Sequence, residues 1–156
     1  MANPLTAIRA QLVTLISAIN GAGSYTHNLS GDDQVVYAVG EPVVVPCVML
    51  FNGRWTSRID DAAFGHYDRV YMWDYTGWVA AETELGHAAQ AEALANDLSL
   101  ALEADRDVID VDNGQVLDIL LPSGRVSSNE FDHEDLGGLG WVDGVIEVRV
   151  KLTTGM

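Results

Sequence analysis

A single α+β domain spanning residues 1–156, with a mainly antiparallel β-sheet and two amphipathic helices packed on one face, is what this sequence predicts. Three observations carry the prediction. Apolar residues recur at helical spacing in two separate segments, and strand-length stretches elsewhere either alternate or run continuously apolar. The order helix, strands, helix, strands also lacks the strict alternation that a parallel sheet requires. The chain has 156 residues, 48% of them hydrophobic, which is enough for one core.

The first helix starts where Asn3 can cap it and Pro4, which has no N–H to lose, can open it. Leu5, Ile8, Leu12, Leu15, Ile16 and Ile19 share one face, and Gly21 and Gly23 end the segment. A turn at Gly31–Asp33 precedes a short strand over Gln34–Val39. The run Val43–Phe51 reads as a strand covered on both faces, with Pro46 forcing an edge position or a bulge because it cannot donate to the ladder. Asn52–Gly53 then reads as a tight hairpin turn into Arg54–Asp60, and a long strand follows from His66 to Ala80. The second helix covers Glu82–Asp105 and carries Leu85, Ala88, Ala91, Leu94, Ala95, Leu98, Ala101 and Leu102, a face small enough to lie close to a sheet. Asp110–Gly114 reads as a turn, Gln115–Leu121 as a strand stopped by Pro122, and Glu130–Gly140 as a polar, glycine-rich loop. In the last strand Ile146, Val148, Val150 and Leu152 alternate with Glu147, Arg149 and Lys151, so one face meets a core and the other meets water.

Charge narrows the function. Lys and Arg number 8 against 23 Asp and Glu, a formal charge of −15. A phosphate-rich partner is repelled by such a surface, which argues against sequence-specific nucleic-acid binding. Cys47 is the single cysteine; it has no partner for an intrachain disulfide and reads as a small buried hydrophobe. Arg9, the apolar stretch Leu12–Ile19 and the small residues Gly21–Ser24 partly imitate a signal peptide, but Thr14 and Ser17 interrupt it and the amphipathic helix accounts for it better. With no stretch near the ~20 apolar residues of a membrane span, a soluble cytoplasmic protein is expected.

Catalytic patterns are weak. Asp110–Gly114 fails as a calcium loop, because Gly114 is fifth rather than sixth and Leu121 stands where a bidentate Glu belongs. Asp132, His133, Glu134 and Asp135 offer ligand atoms, yet neighbours in one loop rarely converge on an ion without a distant ligand. His27, His66, His87 and His133 are scattered and read as surface or hydrogen-bonding residues. Gly21-Ala22-Gly23 follows a helix, not a strand, and there is no phosphate loop or nucleophile elbow. Asp60 and Asp61 read as solvated surface. No catalytic residue, metal or cofactor is expected.

One segment asks for more explanation. Tyr67, Tyr71, Trp73 and Tyr75 lie on one face of the long strand and Val70 and Met72 on the other, so both faces need cover. Helices and a loop can provide it; so can a second subunit, since Tyr and Trp are favoured anchors. The two readings stand level on residue types alone. In the second, Tyr67, Tyr71, Trp73, Tyr75, Phe131, Leu136 and Trp141 form the subunit interface, with the Asn129–Gly140 loop mobile in the free protein and contacting a neighbour.

An amphipathic first helix, a Gly-rich turn, the Val45-Pro46-Cys47-Val48 strand, the aromatic strand Tyr67–Tyr75, an Ala-rich second helix and a terminal alternating strand together resemble the tail terminator, or tail completion, proteins of long-tailed bacteriophages. The resemblance covers almost the whole chain, departing in an extended Asp107–Gly140 region. It implies a hexameric ring without catalytic residues or cofactors, at the head-proximal end of a tail tube, in the virion neck. Assembly would occur in the host bacterial cytoplasm, with tail tube and head–tail connector proteins as partners, and DNA would pass through the ring. Another neck or head-completion protein, and a small enzyme or metal-binding domain using Asp132–Asp135, are the competing expectations.

Overall fold

The computed structural model describes residues 4–58, 66–80, 86–103, 111, 114–133 and 137–153. In chain order these form α1 (Pro4–Ser17), β1 (Val35–Tyr37), β2 (Cys47–Arg58), β3 (His66–Ala80), α2 (His87–Glu103), β4 (Gly114–His133) and β5 (Gly137–Thr153). The sheet order is β1-β2-β3-β5-β4; β1 runs parallel to β2 and every other pairing is antiparallel. Both helices contribute to a single core against one face of that sheet. The expected α+β architecture is therefore the observed one.

β3 occupies the centre, paired with β2 on one side and β5 on the other. Its odd positions Tyr71, Trp73, Tyr75 and Val79 are buried beneath the helices, while the even positions from Val70 to Ala80 are half-buried. α1 contributes Ile8, Leu12 and Ile16, and α2 contributes Ala91, Leu94, Leu98 and Leu102, the helical-period sets that the sequence indicates. Gly77 lies on the same face, where a Cβ would come within 2.7 Å of the Leu94 side chain, so its bareness sets how closely α2 approaches. Across the sheet from Tyr75 stand Gly144 and then Gly124, and the tyrosine hydroxyl reaches over both.

Three expected boundaries are corrected. Val43–Pro46 lies outside any strand, with Val43 79% exposed, because β2 begins only at Cys47. Asn52–Gly53 is a bulge inside β2, not a hairpin turn: Asn52 takes the left-handed φ of 53°, yet Arg54 resumes pairing with Met72 on the same strand β3. A Cβ at Gly53 would meet the Trp73 indole nitrogen at 2.9 Å, so the bulge makes room for that ring. Finally, Pro122 does not stop β4, and residues 130–133 and 137–140, read as loop, are the two strands of the β4–β5 hairpin. Pro122 falls at a register shift between Leu120 and Ser123, where no ladder donor is needed.

The segment after α1 folds back onto α2 through a buried polar cluster. Asp97 is fully buried and accepts the backbone N–H groups of Thr26 at 2.9 Å and His27 at 2.8 Å. The His27 ring lies between the two helical polar residues, Nδ1 3.2 Å from Asp97 Oδ2 and Nε2 2.8 Å from Gln90 Oε1. This docks Leu29 into the core and fixes the chain's entry into β1. A buried carboxylate with its acceptor sites filled costs little, whereas removing it strands two amide donors away from water. Asp97→Ala is expected to lose about 2–4 kcal/mol in chemical denaturation, while Glu92→Ala on the exposed side of α2 stays within ~0.5 kcal/mol. An Asp97→Ala protein as stable as the parent would contradict the assigned role.

Candidate assembly interface

The second face of the sheet has no helix on it among the described residues. Its central positions are Val70, Met72, Asp74, Thr76 and Trp78 of β3, flanked in register by Arg54 and Thr56 of β2 and by Trp141, Asp143, Val145, Glu147, Arg149 and Lys151 of β5. β4 adds Asp118, Leu120 and Arg125. Trp78 and Trp141 pair here with ring centroids 5.5 Å apart and planes tilted by 44°. A concavity of about 460 Å³ is lined by Thr56, Val70, Met72, Leu120, Glu147 and Arg149, and so crosses all four long strands.

Charge on this face is balanced by cross-strand pairs. Arg54 meets Asp74 at 3.1 Å, Arg125 meets Asp143 at 3.2 Å and Arg149 approaches Asp118 at 3.8 Å. Asp74 also accepts from the Asn52 amide at 3.0 Å, bracing the β2 bulge from the open side. By backbone register five cations, Arg54, Arg58, Arg125, Arg149 and Lys151, stand against five anions, Asp68, Asp74, Asp118, Asp143 and Glu147, so the face is formally neutral. The whole −15 therefore falls on the rest of the chain. Exposed pairs of this kind add roughly 0–1 kcal/mol each to stability, so their larger consequence is electrostatic: they make one surface nearly neutral.

The expected interface residues separate onto different surfaces. Tyr71, Trp73 and Tyr75 are at most 3% exposed and lie under the helices, so any contact through β3 falls to its even positions. Burial, with lesser contributions from Asp143 and Glu103, pushes the Tyr75 hydroxyl above the ordinary tyrosine range. Trp141 lies on the open face, half-buried. The backbone of Tyr67 pairs with Leu152 and that of Phe131 with Leu139, while their side chains, like Leu136 as a whole, lie outside the described residues. Of the Asp132–Asp135 run, Asp132 and His133 are backbone members of β4, and Glu134 and Asp135 lie outside the described residues.

Asp97 and Gln90 were legible in principle and overlooked: both occupy the apolar stripe of α2, in line with Leu94 and Ala101, where a polar residue signals a buried partner. His27, that partner, matches the expectation of a hydrogen-bonding histidine. Cys47 is 1% exposed, its Sγ 3.6 Å from the Asp33 carbonyl oxygen. Burial, with a smaller effect from Asp33, pushes its thiol up to about 11.

Among the described residues the helices lie on one face of the sheet, and the other face carries the ion pairs, half-buried along β3 and with Cys47, Met49 and Leu139 buried at the end nearest Trp78. The whole fold is similar to that of a solved chain described as "Virion of native gene transfer agent (GTA) particle", at 16% identity and a TM-score of 0.60. The match covers 97% of this chain and 99% of that one. At that identity the likeness shows a shared fold. No protein-family model matches the chain, and no curated protein sequence matches it.

The separation of the two β3 faces has a measurable consequence. Trp73→Ala, which empties a core site, is expected to cost about 3–5 kcal/mol, and Met72→Ser on the open face less than ~1.5 kcal/mol. Denaturant titrations of the two variants check this; equal losses would mean that both faces are core.

Proposed function

We propose that this chain is a structural protein of a phage-like virion, and that it forms a non-catalytic ring, a hexamer, closing the head-proximal end of a tail tube and joining the tail to the head connector. The observation that carries the reading is the shared fold over essentially the full length of both chains, with a component of a gene transfer agent virion. The likeness thus extends over nearly all of both chains and not over one motif alone. The order of elements that resembles tail terminator proteins supports the finer assignment. Two further features fit it: a strongly acidic surface past which DNA can slide without adhering, and a sheet face left for a neighbouring subunit.

Electron microscopy of the purified protein, alone and with tail tubes, tests the proposal. Rings capping the head-proximal tube end are expected. Binding at the head portal with no affinity for tubes would instead make it another neck or head-completion protein, and a compact monomer that binds neither would overturn the virion role. Six copies at −15 bring together a formal charge of about −90, so repulsion opposes closure. Raising monovalent salt from 0.1 to 1 M shortens the screening length from ~10 Å to ~3 Å and is expected to shift sedimentation toward the ring. Dissociation by salt would show that ion pairs between subunits hold it.

A further inference from the structure

A closed ring of identical copies needs two different surfaces on each copy, one fitting the other. One is the open sheet face. The other can be sought among apolar groups that a single copy leaves in water. Tyr37 carries the Arg9 guanidinium over its ring at 4.1 Å, and Trp55 faces Arg69 at 5.9 Å, so both have a cation from their own chain. Val39 and Val43 are 76% and 79% exposed, and they belong to one stretch, residues 38–46, whose sequence is Ala-Val-Gly-Glu-Pro-Val-Val-Val-Pro. Glu41 is its single charged residue.

The base of this loop is tightly held. The Gln34 side chain donates to the carbonyl oxygens of Asn28 at 2.9 Å and Pro46 at 3.1 Å and accepts from the Gly31 N–H at 2.7 Å. The Val48 N–H returns a bond to the Gln34 carbonyl at 2.7 Å, and Pro42 is buried between the two exposed valines. An apolar loop fixed in this way loses little further entropy on binding.

We infer that the valine loop of one copy, through Val39 and Val43, inserts into the concavity on the open sheet face of a second copy. The inference rests on the ring reading above and names its interface. Electrostatics selects the pairing. The open face is formally neutral and the loop carries a single charge, whereas contacts between the remaining surfaces oppose regions that share a charge of −15 in each copy. Shape and chemistry agree: Val70, Met72 and Leu120 provide an aliphatic floor for the valines, and Glu147 and Arg149 a charged rim.

Single-cysteine chemistry tests this, because the native Cys47 is buried and its thiol, pushed up to about 11, stays protonated near pH 8. The Val43→Cys and Met72→Cys variants are oxidised separately and mixed, under conditions in which sedimentation detects the ring. Disulfide-linked dimers confined to the mixture are expected, with a ladder up to the full ring for the double variant. Val43→Asp, with circular dichroism as the folding control, is expected to weaken association by roughly tenfold or more. Dimers formed by the Met72→Cys variant alone would reveal a face-to-face contact and overturn the inference. So would a ring that forms without any cross-link, which leaves the ring reading standing. A protein that stays monomeric and ignores tail tubes overturns both.

Discussion

The fold depends on a single strand having two unlike faces. β3 is hydrogen-bonded on both edges, so its side chains are the only means by which it can discriminate between its surroundings. Its odd positions place Tyr71, Trp73 and Tyr75 beneath α1 and α2, and its even positions place Val70, Met72 and Asp74 on the open side. A one-residue slip would exchange these sets and put two carboxylates, Asp68 and Asp74, into the core. Register is therefore fixed by a penalty as well as by burial. The accommodations elsewhere follow from the size of the aromatic side chains: Gly53 and the Asn52 bulge give way to Trp73, Gly124 and Gly144 lie beneath the Tyr75 hydroxyl, and Gly77 admits Leu94.

The same alternation partitions charge. Cross-strand neighbours on an exposed sheet face lie about 5 Å apart, close enough that like charges destabilise and opposite charges settle into pairs. Five of the chain's eight basic residues stand on this face, in register with its carboxylates, whereas the rest of the molecule is overwhelmingly acidic. Such a distribution does little for monomer stability. It does leave one side of the molecule on which a like-charged surface is repelled least.

Legibility in the sequence followed the strength of local period. β3 was readable to the residue, since an aromatic strand bounded by unrelated composition leaves no competing period. The alternating part of β5 and the two helices were readable for the same reason. The failures lie where turn chemistry was given the wrong job. Asn-Gly favours positive φ, which a hairpin and a bulge both use, and only the continued pairing of Arg54 with Met72 decides between them. Pro122 likewise ends a strand only if its neighbours need its missing donor. On the candidate interface, residue type correctly marked β3 as a strand with two apolar faces but could not say which face the helices take, because Trp and Tyr suit cores and interfaces equally.

The edges of the sheet bear on which contacts remain open to the protein. β4 is an outer strand of 20 residues, long enough to invite pairing with the edge of another copy. Register shifts interrupt it between Val116 and Asp118, Leu120 and Ser123, and Ser127 and Phe131, and Pro122 removes a donor at the second. Each shift bends and twists the strand, so no straight run of free N–H and C=O groups is offered to a partner. At the opposite edge β1 is only three residues long. Edge pairing and face contact each close into a ring only where the rotation between successive copies closes, and a loop of fixed reach set against a face fixes that rotation. For the ring proposed above, the interrupted β4 edge therefore favours the second kind of contact.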